Sequence, residues 1–141
     1  MGAEEYYKVT YTLTLTMATT LSRLNPGMTF CYVSGAGTDR TEKGRSRWAR
    51  VKGKTENDLA KLPFRHVYAF RPGFIKPVPG QQYVHSFYRY INWMYPLGRA
   101  LYPNGFNNLH EIARAMMQLV GRDDYKTDII TGKDISALAK E

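Results

Sequence analysis

Apolar and polar positions fall into short, differently spaced runs along the chain. From Val9 to Met17, apolar residues alternate with threonine, a strand pattern, yet Val9, Leu13, Met17, Leu21 and Leu24 also recur at helical spacing. The four-residue spacing outlasts ordinary strand length. Glu4 and Glu5 suit a helix N-terminus and Asn25-Pro26-Gly27 a stop, so a helix from about Ala3 to Leu24 is expected. Met28 to Ser34 then reads as a short buried parallel strand. Gly44 to Leu62 reads as a basic helix with Val51, Thr55, Leu59 and Leu62 on a modest apolar face, and His66 to Phe70 as a strand ended by Pro72-Gly73.

Prolines mark Lys76-Pro77-Val78-Pro79-Gly80 as a loop, and Pro96 interrupts a helix expected within Gln81 to Leu101. Asn107 to Val120 has Leu109, Ile112, Ala113, Met116, Met117 and Val120 at helical spacing, with Asn107 or Asn108 as cap and Gly121 as terminator. A short strand near Thr127 to Ile130 and a helix from Asp134 complete the pattern. No repeat or long linker divides the chain, so one domain spanning residues 1–141 is expected.

Three stretches carry the chemistry. A strand ends in Tyr32-Val33-Ser34-Gly35-Ala36-Gly37, the following helix sets Trp48 and Lys52 four residues apart on one face, and the next strand ends in Arg71-Pro72-Gly73. In these places the chain resembles the short-chain dehydrogenase/reductase superfamily, in particular the extended branch of NAD-dependent epimerases and dehydratases and their atypical relatives. That family carries a Ser at a strand end, Tyr-x-x-x-Lys on the next helix and Arg-Pro-Gly after the next strand. Here Trp48 stands where the family has its Tyr.

The resemblance extends from about Glu5 to Ile135. It implies an α/β fold, the second half of a Rossmann-type parallel sheet with flanking helices. The amino-terminal nucleotide-binding strands are missing, because G-x-G-x-x-G opening a helix occurs nowhere and Gly35-Ala36-Gly37 is followed by Arg40. By the same resemblance, Ser34 hydrogen-bonds a substrate oxygen. Lys52 holds the nicotinamide ribose and lowers the pKa of the family's Tyr, Arg71-Pro72-Gly73 runs beneath the nicotinamide, and the cofactor is NAD or NADP. An indole N–H does not titrate usefully in water, so Trp48 cannot serve as the proton donor and acceptor. Tyr32, in the strand, is not expected to replace it. The implied function is the carboxyl-terminal portion of an NAD(P)-binding epimerase/dehydratase-like or reductase-like protein, with catalysis left open.

Composition narrows the remaining choices. A chain of 141 residues with 43% hydrophobic content supports a globular core, and the net charge of +8 reads as a basic surface that speaks to nonspecific association rather than to fold. The single cysteine, Cys31, excludes an internal disulfide and is expected to be buried. His66, His85 and His110 lack metal-ligand spacing, so no metal is assigned, and Asp39 and Glu42 are read as solvated ion pairs. Glu4 and Glu5 stand where a secretory signal would be basic, and no apolar run spans a bilayer, so a cytoplasmic protein is expected.

The aromatic and basic segment 83–102 has three readings: core or substrate-side packing, an anionic membrane surface, or nucleic-acid stacking, which is disfavoured for want of a single-strand-binding motif. The membrane reading makes the chain a noncatalytic module docking on a membrane or protein partner. Finally, a half sheet leaves Met28 to Ser34 with one bare side, and self-association through that exposed edge is expected.

Overall fold

A computed structural model describes residues 1–76, 94–102 and 105–141. The fold is mixed α/β, with parallel strand pairing and flanking helices. Two compact units divide the chain, Met1–Ala69 and Phe70–Glu141, the boundary falling inside a strand.

The first unit opens on a continuous helix: α1 (Ala3–Tyr7), a π-helical segment (Lys8–Thr12) and α2 (Leu13–Leu24). Its threonines explain how a strand-like sequence stays helical. Thr16 and Thr20 donate their hydroxyls to the carbonyls of Thr12 and Thr16, four residues back, at 2.8 and 3.0 Å, so the polar groups are satisfied within the helix. The face turned inward is not the one that revealed the helix. Ala18 and Ser22 are buried, whereas Val9, Leu13, Met17 and Leu24 are exposed.

The strand β1 (Thr29–Val33) follows a turn closed by the Met28 amide on the Asn25 carbonyl. It is half-buried rather than buried as expected. It stands at the edge of its sheet, with β2 (His66–Arg71) as its one strand neighbour among the described residues. Phe30 stacks on Phe64 at 5.0 Å beside it. Between the two strands runs α3 (Arg47–Leu59), which buries Ala49, Gly53, Thr55, Glu56 and Leu59. Asp58 on this helix accepts hydrogen bonds from Tyr11, Lys54 and Lys61, tying α3 to the π-helical segment.

In the second unit β3 (Phe74–Lys76) pairs in parallel with β4 (Phe106–Asn108), Phe74 opposite Phe106 and Lys76 opposite Asn108. Neither strand is evident from the sequence: three residues are too few to show alternation, and Lys76 reads as part of the proline loop, whose residues 77–80 lie outside the described residues. The helix α4 (Tyr95–Leu101) carries Pro96 near its start, and the part of the expected helix before Met94 lies outside the described residues. Pro96 sits in the first turn, where no intrahelical N–H is missed. The rest of the aromatic segment, residues 83–93, lies outside the described residues.

The helix α5 (Leu109–Leu119) is capped by Asn108, whose side chain accepts from the Glu111 amide while Glu111 accepts from the Asn108 amide, both at 2.8 Å. Its buried stripe is Ile112, Ala115 and Leu119, and of the residues at helical spacing Leu109, Ala113, Met117 and Val120 are exposed. The strand β5 (Ile129–Thr131) leads into α6 (Gly132–Leu138), capped by Thr131 with Asp134. The helix thus starts two residues before Asp134. Ile130, Ile135 and Leu138 complete the core of this unit.

Candidate functional site

The sequence-derived site residues divide between the units. Ser34, Trp48 and Lys52 belong to the first, and Arg71, Pro72 and Gly73 to the second.

At the carboxyl end of β1 the chain turns sharply. Gly35 and Gly37 take φ of +119° and +84°, and the Thr38 hydroxyl closes the turn on the Gly35 carbonyl at 2.8 Å. Ser34 is buried at the entrance to this turn. A side chain at Gly35 would meet nothing within 4 Å, so open space lies beside the residue that follows Ser34.

Lys52 reaches the same place from α3. Its ammonium donates to the Val33 carbonyl at 3.3 Å and lies 5.9 Å from the centre of the Tyr32 ring. Burial lowers the Lys52 pKa, an effect the Glu56 carboxylate opposes. Trp48, one turn earlier, is 43% exposed and packs its six-membered ring against Gly37. Burial pushes the Tyr32 phenol up to about 12. Cys31 in the same strand is half-buried, its thiol pushed up to about 11 by desolvation.

Three groups that the sequence does not single out fix the loop between β1 and α3. Gly53 lies so close under the loop that a Cβ there would come within 1.8 Å of the Asp39 carbonyl oxygen. Arg40 donates to the buried Glu56 carboxylate at 2.7 Å, and the Asn57 side chain donates to the Arg40 carbonyl and the Glu42 carboxylate, each at 2.9 Å. Asp39 and Glu42 are therefore hydrogen-bonded parts of the loop rather than members of the expected solvated ion pairs. Asp39 accepts from the Thr41 hydroxyl and amide and the Gly44 amide, which hold its carboxyl below the usual range, the Thr41 hydroxyl foremost. A glycine three residues before an acid in a helix is the sequence signal of this docking.

In the second unit Pro72 is buried and Gly73 exposed. What approaches Gly73 is its own chain: a Cβ there would lie 2.3 Å from the Gly105 carbonyl oxygen. The same unit carries a cleft of about 430 Å³ lined by Asn108, His110, Glu111, Arg114, Ser136 and Lys140. Among the described residues no three His, Cys, Asp or Glu side chains are grouped to hold a metal ion, and no helix is long and apolar enough to cross a membrane.

No family model matches the chain, and no curated protein matches it.

Proposed function

We propose that this chain supplies the carboxyl-terminal half of an NAD(P)-binding protein of the atypical, epimerase/dehydratase-like short-chain dehydrogenase/reductase type, with Ser34 and Lys52 as its nicotinamide-side residues. The observation that carries this reading is the convergence of Lys52 on the Val33 carbonyl, one residue from buried Ser34, at the carboxyl end of a strand, where open α/β sheets bind ligands.

The fit to a dinucleotide is one-sided. The Lys52 ammonium and the open space beside Gly35 suit a ribose hydroxyl and a nicotinamide, whereas no glycine-rich turn for the pyrophosphate exists anywhere in the sequence. When bound, the nicotinamide would supply hydride transfer. The residues of this chain's first unit would do the rest: Lys52 donates to the ribose and Ser34 orients a substrate oxygen. The Trp48 indole N–H does not titrate usefully in water, so the chain binds and positions without the usual acid/base step.

The edge position of β1 belongs to the same proposal, since the strand that would cover it lies in the missing half. The test joins the chain behind the nucleotide-binding half of a short-chain dehydrogenase. Calorimetry should give micromolar NADH or NADPH affinity for the joined protein, about tenfold weaker in Lys52→Met and unchanged in Lys54→Met, and no better than about millimolar affinity for the chain alone. Light scattering should show the chain alone self-associating and the joined protein monodisperse. Micromolar binding by the chain alone, indifference to Lys52→Met, or a well-dispersed monomer of the short chain would each overturn the assignment.

A further inference from the structure

Helices α5 and α6 pack against each other in the second unit, and each brings a pair of polar side chains, four residues apart, to one cleft. His110 and Arg114 come from α5, Ser136 and Lys140 from α6 and the turn that follows it. Side chains at this spacing share a helix face, so the two pairs meet across the packed helices. The cleft of about 430 Å³ falls within the range of roughly 300–1,000 Å³ usual for small-molecule sites. Its lining holds no Phe, Tyr or Trp and no aliphatic side chain larger than that of Ala139, so it suits a polar ligand.

Charge and hydrogen bonding decide which ligand. Glu111, the carboxylate in the lining, accepts from the Asn108 amide, while nearby in sequence Asp134 accepts from the Thr131 amide and hydroxyl and Glu141 from Arg122. Arg114 and Lys140 have no carboxylate partner among the described residues. Ser136 is set as a donor. Buried Asn107 donates its side-chain amide to the Gly132 carbonyl and to Ser136 Oγ, each at 3.1 Å. A carbonyl can only accept, which fixes the orientation of that amide, and the Ser136 oxygen, already accepting, keeps its own proton to give. A carboxylate ligand would offer two oxygens to this set of donors, whereas a phosphate monoester offers three strong acceptors and about two negative charges. We infer that the cleft binds the phosphate group of a small phosphomonoester, Arg114 and Lys140 meeting its charge and Ser136 and His110 donating to its oxygens. Every residue involved belongs to the second unit, so no part of the Ser34 and Lys52 site enters it.

Calorimetry on the full chain with glucose 6-phosphate, glucose and inorganic phosphate tests this. Glucose 6-phosphate should bind with about millimolar affinity or better, inorganic phosphate at least about threefold more weakly, and glucose without detectable heat. Arg114→Gln with Lys140→Gln should retain the native circular dichroism and lose about tenfold or more of the affinity for the ester. Lys133→Gln, which removes a like charge from α6 outside the lining, should change it by less than about twofold. Ser136→Ala leaves the net charge unchanged and should lose about threefold to tenfold, a loss that diffuse attraction to a basic surface does not produce. Absence of binding at about 10 mM ester, an equal loss in Lys133→Gln and the double variant, or undiminished binding by folded Ser136→Ala protein would each overturn the assignment. Inorganic phosphate binding as tightly as the ester would make the cleft a site for the free ion and overturn it equally.

Discussion

Gly53 offers a direct test of how the first unit is assembled, because helix propensity and packing make opposite forecasts for Gly53→Ala. Alanine is the better helix former by about 1 kcal/mol, and Gly53 lies in the middle of α3, so propensity alone forecasts a gain. Packing forecasts a loss. The new Cβ would stand 1.8 Å from the Asp39 oxygen, 2.3 Å from the Asp39 carbonyl carbon and 2.8 Å from the Arg40 nitrogen. These are backbone atoms, which cannot rotate away, and restoring ordinary contact requires a retreat of about 1.5 Å or more.

The retreat strains three other contacts: the Asp39 amide on the Ala49 carbonyl at 3.0 Å, Asn57 on the Arg40 carbonyl, and Arg40 on Glu56. Glu56 is 1% exposed, and fully breaking a buried ion pair costs about 3–5 kcal/mol. Overpacking by itself costs about 1–3 kcal/mol. Partial loss of the pair plus overpacking, less the propensity gain, gives a net loss of about 2–4 kcal/mol, with Tm lower by about 10 °C. Thermal melting followed by circular dichroism measures it, with Gly27→Ala as control. A Cβ at Gly27 meets only Asn25 Oδ1 at 3.5 Å and should change stability by less than about 0.5 kcal/mol. A neutral or stabilising Gly53→Ala would mean that the loop does not rest on α3, and the placement of Ser34 and Gly37 relative to Lys52 would fall with it.

Two further predictions follow from titratable groups. Hydrogen bonds from Lys61, Lys54 and Tyr11 hold the Asp58 carboxyl well below its usual range, so its stabilisation is present above the unfolded carboxyl value near about 4 and lost as pH falls below it. Asp58→Asn should therefore cost about 1–2 kcal/mol at pH 7, a cost that shrinks between about pH 4 and pH 2 in pH-resolved denaturation; a cost independent of pH would contradict the network. With its thiol pushed up to about 11, Cys31 should react with a disulfide reagent at pH 8 on the order of a hundredfold more slowly in the native chain than in urea, and equal rates would show that it is not desolvated.

What the sequence conveys of this fold is periodicity and punctuation. The long amino-terminal helix is legible because its four-residue spacing runs past strand length, yet the face it buries is not. Two stripes compete there, and the one that packs carries Ala18 and Ser22 while the larger Leu13 and Met17 face outward. The same limit applies to α5, whose end signals at Asn108 and Gly121 are local and correctly read, whereas the choice of Ala115 over Met117 for the core depends on what packs against it. Strands of three residues, β3 and β4, leave no trace because pairing, not alternation, defines them. At the candidate site, Ser34 and Lys52 stand out only through the resemblance to the dehydrogenase pattern. The Arg40–Glu56 pair does not, since its members are sixteen residues apart and each resembles a solvated charge until the loop folds back.

The loop that carries Ser34 is positioned by one helix at three points. Lys52 holds its entry at the Val33 carbonyl, Trp48 supports Gly37, and Gly53 with Glu56 and Asn57 receives Asp39 and Arg40. Residues 34–38 are thus strung between anchors on α3, and the internal bond from Thr38 to Gly35 removes their remaining slack. Any ligand that enters beside Gly35 meets a turn whose geometry is set by α3 more than by its strand. This gives Trp48 a physical role where the resembled family has its proton-exchanging phenol: an indole presents a broader apolar face, and packed on a glycine it stiffens the turn while contributing no titration. At that position the chain thus carries a side chain that fixes the loop and does not titrate.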